Sequence, residues 1–412
     1  MTTVKKAAHD VAIAVTRVVF KLVPDRIPLT LLGPGCSTDL CASIAQLGVG
    51  KLLIVTDAML VKLGIVRTIT DALDQNGVRW CIYDGVEPDP TFDQVEAGLA
   101  MVRREGCDAI LAVGGGSPMD AAKVIAAAAT NDKPMRKLAG LFKVRKTPLP
   151  LFAIPTTAGT GSEVTVAAVV SDPITHAKQF IVDPKLLPLM AALDPLLMVG
   201  LPPPVTAATG MDALTHAVES YLALTSTPET ERYAAAAIKL IFANLPRACS
   251  EGSDVEARKA MAMASYYAGI AFTRTSVGYV HAIAHTFGAY YRTPHGLANA
   301  IVLPHVLEFS AVVAGKRVAQ MARILGIDAV GDAALARAFI DAVRDLMGRV
   351  GIPPTLEALQ PNDITAIAKQ AVAEAYMNYP VPRYMTETEC GELVGRMLTR
   401  GHGSADVARE PT

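Results

Sequence analysis

The chain of 412 residues is short of charge, short of aromatics and has no dominant sign. Charged residues make up 19% of it and the formal net charge is −1. No global field therefore favours nucleic acid, an anionic membrane or an acidic partner. Disorder is excluded from the other side, because 51% of residues are hydrophobic, enough to fill large cores. The six cysteines, Cys36, Cys41, Cys81, Cys107, Cys249 and Cys390, contain no CxxC pair. In a chain of this length they read as small buried side chains in a reducing, cytoplasmic compartment and not as a disulfide framework. The single tryptophan, Trp80, lies among apolar residues and is expected in the core. No apolar run is long enough to span a bilayer, since the best stretch, 11–23, is broken by Arg17 and Lys21. That stretch also lacks the apolar centre and small-residue cleavage site of a signal peptide. Lys5, Lys6, Arg17 and Lys21 alternate with Ala7, Val11, Val15, Val18 and Val19 at helical spacing. Residues 1–25 are thus expected to form an amphipathic helical extension, docked on the body of the protein or on a neighbouring subunit.

What is present divides the chain in two. Up to about residue 200, short apolar runs alternate with helical patterns. Strands are expected at 51–57, 80–83, 108–113 and 149–154, and helices at 58–76, 92–105 and 118–130. Such alternation predicts a parallel sheet with crossover helices. After Pro202-Pro203-Pro204 the strand-like runs nearly vanish, and Ala-, Leu- and Met-rich segments predict helices at 205–223, 228–244, 254–272, 277–290, 297–313, 331–350 and 384–399. The expected fold is an N-terminal Rossmann-like parallel-sheet domain, 26–201, and a C-terminal all-helical domain, 202–412, with a frayed tail over the last dozen residues.

Three motifs carry chemistry. The expected strand at 108–113 enters Gly114-Gly115-Gly116-Ser117, and Ser117-Pro118 reads as the N-cap and first residue of a helix. Glycines let a backbone approach a phosphate, and the free N–H groups at the helix start bind it. A tight turn with no ligand is an equal reading of that motif alone. The order of parts also departs from the usual dinucleotide fold, where the glycine turn follows the first strand and an acidic residue the second. Here the acidic Asp57 ends an earlier strand. The second motif, Pro155 to Glu163 (PTTAGTGSE), crowds hydroxyls and glycines into a loop after another strand. Both loops would lie at the carboxyl edge of one parallel sheet, where ligands bind. The third motif is the most specific. Asp212 and His216 are spaced i, i+4, as are His281 and His285, and His295 follows in Thr293-Pro294-His295-Gly296. Four of the eight histidines fall between 216 and 295. For one histidine, a hydrogen-bonded core role is the better reading. For the set, a carboxylate with three imidazoles suits a divalent transition metal such as iron, zinc, cobalt or nickel. His9, His176, His305 and His402 are left as surface or core residues.

On GGGSPMD, PTTAGTGSE, GMDALTHAVESY and HAIAHTFGAYYRTPHG, the chain from about 25 to 400 resembles the iron-containing (group III) alcohol dehydrogenases, relatives of glycerol dehydrogenase and dehydroquinate synthase. The resemblance implies a dehydroquinate synthase-like fold with a catalytic cleft between its halves. It implies Asp212, His216, His281 and His295 as ligands of Fe2+ (or Zn2+ or another divalent metal), with His285 as a cleft histidine beside it. It implies Gly114, Gly115, Gly116, Ser117 and the rest of the turn to Asp120 at the pyrophosphate of NAD. Asp57, Asp89, Thr156, Thr157, Thr160 and Lys178 would line the same cofactor. The chain departs from the family in its N-terminal extension, in Thr286 after the second histidine of HxxxH, and in Arg274. Arg274 is expected to face the substrate, to pair with a nearby carboxylate or to reach a subunit contact. The expected activity is hydride transfer between NAD(H) and a small primary alcohol, aldehyde or diol, in a homodimer or higher homo-oligomer. The alternatives are a dehydroquinate synthase-like or glycerol dehydrogenase-like enzyme, or a non-catalytic metal- and nucleotide-binding assembly protein.

Overall fold

The computed structural model describes Ile13, residues 26–173 and residues 178–399. The expected extension helix and tail, and His9, His176 and His402, lie outside the described residues.

The apolar runs of the first half pair as a parallel six-stranded sheet. Its strands are β1 (Leu29–Leu32), β2 (Lys51–Val55), β3 (Arg79–Tyr83), β4 (Ala109–Gly114), β6 (Leu151–Pro155) and β9 (Met190–Leu193), in the order β1-β9-β6-β4-β2-β3. Successive strand residues point to opposite faces, and both faces are covered. Leu53, Val55, Ile110, Ala112 and Ala153 pack under α4 (Phe92–Glu105) and α5 (Gly116–Thr130). Leu52, Ile54, Leu111, Val113 and Ile154 pack under α1 (Cys36–Gln46) and α3 (Ile65–Gln75). The region expected as one helix, 58–76, is two, because Gly64 at φ 77° separates α2 (Ala58–Lys62) from α3. Trp80 is only half-buried, since β3 is an edge strand, and its indole N–H donates to Asp74 at 2.8 Å. A small sheet of β5 (Gly140–Leu141), β8 (Lys178–Val182) and β7 (Ala167–Ser171) stands beside the large one, with β7 and β8 antiparallel. All six cysteines are free.

The strand order clarifies the displaced glycine turn. Setting edge strand β1 aside, β2, β3, β4, β6 and β9 run in the order 2-1-3-4-5 when numbered consecutively. In that arrangement the ligand crevice opens between the first and third strands, β2 and β4. Asp57 and the glycine turn therefore flank the crevice.

The second half is helical. It comprises α6 (Pro203–Leu222), α7 (Pro228–Ser250), α8 (Val255–Phe272), α9 (Tyr279–Tyr291), α10 (His295–Ile324), α11 (Asp332–Arg349), α12 (Ile364–Asn378) and α13 (Glu387–Gly395). They share one core, in which Met211, Ile241, Met261, Phe287, Leu303 and Phe339 are sealed from solvent. Start signals are explicit: Thr227 with Thr230 and Thr386 with Glu389 form capping boxes, and Asp254 caps α8. Helix α12 is not among the helices expected from the sequence, although Ile364, Ile367, Ala368, Ala371, Val372 and Ala375 form a helical stripe along it. Helix α10 has the length and composition of a membrane span, but 61% of its apolar stretch is buried inside this half.

The halves meet where glycine is required. Gly161, at φ +59°, sits on Gly269 of α8. A Cβ on Gly269 would stand 2.6 Å from Val164 Cγ1 and 2.9 Å from the Gly161 carbonyl oxygen. Gly269→Ala is expected to lower stability by about 1–3 kcal/mol through overpacking, read as a fall in Tm by calorimetry. An unchanged Tm would mean that this joint yields without strain.

Candidate metal and cofactor site

Helix α6 begins on Pro203-Pro204, whose fixed φ suits a first turn, and runs straight into the core. Its buried face carries Asp212, His216 and, one turn later, Glu219. Helix α9 starts after Gly278 and brings His281 into its first turn and His285 into its second. Arg292, at φ 53°, ends α9, and the Thr293-Pro294 link starts α10 at His295. This sharp reversal turns His295 back over His285, with ring centroids 5.5 Å apart and planes at 18°.

Four side chains converge. His281 Nε2 lies 3.0 Å from His216 Nε2 and 3.9 Å from Asp212 Oδ1, and His295 Nε2 lies 3.6 Å from the same oxygen. Ligand atoms bound at about 2.1 Å from one cation are separated by roughly 3 to 3.5 Å, so the spacing fits a shared metal. Proton bookkeeping agrees. Glu219 Oε2 accepts from His281 Nδ1 at 2.6 Å, which leaves Nε2 as a lone pair. Burial, then the neighbouring His216 ring, pushes the His281 pKa well below its usual value, so the ring is neutral at neutral pH. Burial alone would raise Asp212, but the three imidazoles and the Asn299 amide outweigh it and hold the carboxylate ionised. Asn299 Nδ2 stands 2.7 Å from Asp212 Oδ1, 3.1 Å from His295 Nε2 and 3.3 Å from His281 Nε2. One amide has two protons for those three acceptors, with His216 Nε2 3.0 Å from one of them, His281 Nε2, and a bound cation would satisfy the cluster together. Phe272 stacks on His216 at 4.1 Å and fixes its ring plane.

His285 has another partner. Its Nδ1 lies 2.7 Å from Glu374 Oε1 on α12, and the Tyr379 hydroxyl donates to the same oxygen at 2.6 Å. The remaining nitrogen, Nε2, is left as the proton acceptor.

The cofactor candidates line the carboxyl edge. Strand β4 ends at Gly114, φ +149°, and helix α5 starts at Gly116 with Gly115 as its N-cap. The helix therefore begins earlier than expected, and Ser117 lies inside its first turn and is not the cap. A Cβ on Gly116 would stand 2.8 Å from Thr160 Cγ2, and one on Gly115 would stand 3.2 Å from Thr157 Oγ1. The glycine turn and the hydroxyl loop thus touch, and Thr156 is buried beneath them. Asp57 caps α2, accepting from the Leu60 amide at 2.9 Å through Oδ1. Asp89 pairs with Lys178 at 3.0 Å. Phe180, two residues along β8 from Lys178, approaches His285 at 6.1 Å. Asp120 is engaged elsewhere: its oxygens accept from Ser162 Oγ and the Val169 amide, both at 2.9 Å. Its carboxylate holds the loop, and an anion is ill suited to meet a phosphate. Arg274 forms an ion pair with Glu229 of α7 at 3.2 Å, the carboxylate pairing among its expected arrangements.

Sequence reading assigned no role to Glu219, Asn299, Phe272 or Glu374. Helical spacing from His216 and His295 pointed to the first two. Glu374 had no local signal, being 89 residues from its partner. Glu219→Gln keeps the shape and removes the charge behind His281; metal affinity is expected to fall about 10- to 100-fold, as measured by competitive metal titration. Wild-type affinity in this variant would reduce Glu219 to a packing residue.

Comparison with known proteins gives one picture. A family model described as iron-containing alcohol dehydrogenase matches residues 28–195, and the family's C-terminal model matches 206–398. The NAD-dependent methanol dehydrogenase of Bacillus methanolicus is 37% identical over 375 residues, spanning 90% of this chain and 98% of that one. The lactaldehyde reductase of Escherichia coli K12 is 40% identical over 346 residues, 82% of this chain and 90% of that one. A crystal structure of 1,3-propanediol oxidoreductase superposes with a TM-score of 0.88 at 39% identity, covering 90% of this chain and 98% of that one. With both halves matched and the ligand cluster in the helical one, the chain belongs to the iron-containing alcohol dehydrogenase family.

Proposed function

We propose that the protein transfers a hydride between NAD(H) and a small primary alcohol, aldehyde or diol. Asp212, His216, His281 and His295 would hold a divalent metal, Fe2+ first, in a cytoplasmic homodimer or higher homo-oligomer. In this reading residues 26–201 hold the dinucleotide and 202–412 the metal. The single observation that carries it is the convergence of one buried carboxylate and three imidazoles. When bound, the metal supplies Lewis acidity toward the substrate oxygen, and NAD supplies the hydride acceptor. The chain supplies position and proton management. The first amides of α5 would meet the pyrophosphate, and the hydroxyls of Thr156, Thr157 and Thr160 would close over it. Phe272 and Phe180 limit the space beside the imidazoles and favour a small substrate. Glu374 fixes the His285 tautomer, and His285 Nε2 takes the alcohol proton.

The lyase alternative needs uncommitted cations around a phosphate-bearing substrate. Several of those in the helical half are engaged: Arg258 is buried on Thr206 and two carbonyls, Arg274 is on Glu229, Arg247 is on Asp254 and Lys259 is on Glu256. The glycerol dehydrogenase-like alternative would use one aspartate and two histidines, and His216 adds a further ligand. Alcohol-dependent NADH formation by the Fe(II)-loaded protein, assayed anaerobically, separates these readings from an assembly protein.

His281→Ala and His295→Ala are expected to lose bound metal and turnover together. Full iron content and activity in both would sink the ligand assignment. The carboxylate of Asp57 accepts from a ribose 2′-hydroxyl and repels a 2′-phosphate, so NAD is the expected cofactor. Glycine at an N-cap costs only a few tenths of a kcal/mol, so Asp57→Gly should improve NADP use at nearly unchanged stability. A wild type that already prefers NADP contradicts the assignment.

A further inference from the structure

Lys123 is a charged side chain sealed inside the α/β half, 1% exposed. It sits on α5, two turns beyond the glycine turn. Its Nζ donates to Ser162 Oγ at 2.8 Å, Thr165 Oγ1 at 2.9 Å and the Ala167 carbonyl at 2.8 Å. An ammonium has three protons, so its donor capacity is filled by one short segment of chain. No carboxylate is among those partners; Asp120 and buried Glu163 act on it through space. One turn earlier on the same helix face, Asp120 takes the proton of Ser162 Oγ and the amide of Val169. Ser162 is thus gripped from both sides by one helix.

Burying an ammonium is costly, and it drives the Lys123 pKa down to about 8. Packing alone does not call for it, since methionine has a similar length and no charge. What the ammonium adds is direction: three bonds lock a hydroxyl-rich loop to the helix whose N-terminus forms the other wall of the cofactor crevice.

We propose that Lys123 is a positioning residue for the dinucleotide, tethering the 155–165 segment so that Thr156, Thr157 and Thr160 stay in register with Gly114–Gly116. This rests on the reading that the turn and the loop bind NAD(H).

The test uses full-length, iron-loaded protein and NADH binding followed by cofactor fluorescence. Lys123→Met is expected to raise the NADH Kd about tenfold or more. Iron content and KM for the alcohol should stay unchanged. Backbone amides of 156–165 should exchange faster with solvent, and those of α9 and α10 should not. A folded Lys123→Met with wild-type NADH affinity overturns the proposal. So does a loss spread equally over NADH, alcohol and iron, which marks general loosening. If Lys123→Met does not fold, Thr165→Val decides. It keeps volume and charge and removes one acceptor, so the Kd should rise about two- to fivefold, and an unchanged Kd overturns the tether. Thr157→Val tests the underlying reading. Unchanged NADH affinity there fells both ideas, whereas weakening in Thr157→Val but not in Lys123→Met fells the tether alone.

Discussion

A carboxylate only 2% exposed, that of Asp212, governs the helical half. An unpaired charge at that depth costs far more than any packing gain nearby can return. Asp212 is kept ionised by what surrounds it: the His216 imidazole on its own helix, those of His295 and His281 on two others, and one amide proton from Asn299. The imidazoles are constrained in turn. His281 is neutral because it is buried, and Glu219 orients it. Glu219 is itself buried, which raises its pKa to about 7, and it is offset by the amides of Gly278 and Val280 at the start of α9. The juxtaposition of α6 with the start of α9 rests on this chain of dependencies, from Glu219 to the amides of Gly278 and Val280 and to His281.

The α/β half solves a different problem, the approach of backbone to a ligand. Its large sheet is ordinary in being apolar on both faces, and its specificity lies at one edge. There Gly115 and Gly116 lie against Thr157 and Thr160, and Lys178 and Phe180 project from one face of β8 toward Asp89 and His285. Residues i and i+2 of a strand share a face. One short strand therefore serves both the cofactor edge and the helical half.

Much of this was legible in the sequence, for physical reasons that differ by residue. Strands β2, β4 and β6 are apolar on both faces and could be read from composition alone. The pairs Asp212 with His216 and His281 with His285 were readable because a helix brings i and i+4 together. Gly64 was invisible as a break, because only its left-handed φ distinguishes it from a tolerated helix glycine. Ser117 looked like a cap by residue type, yet Gly115 takes the extended backbone that the position needs. Glu374 could not be found, because nothing local links α12 to α9. Arg274 offered three kinds of partner in sequence, and the fold supplied the carboxylate of Glu229.

The loop from Thr156 to Thr165 is held at three places: on the glycine turn, on Lys123 and Asp120 of α5, and on Gly269 of α8 through Gly161. The same few residues therefore belong to a ligand wall and to the seam between the halves. A molecule that binds this loop in the folded protein and not in the unfolded chain contributes RT ln(1 + [L]/Kd) to the cohesion of the seam. Cofactor supply and the thermal endurance of the fold are in that sense a single linked equilibrium.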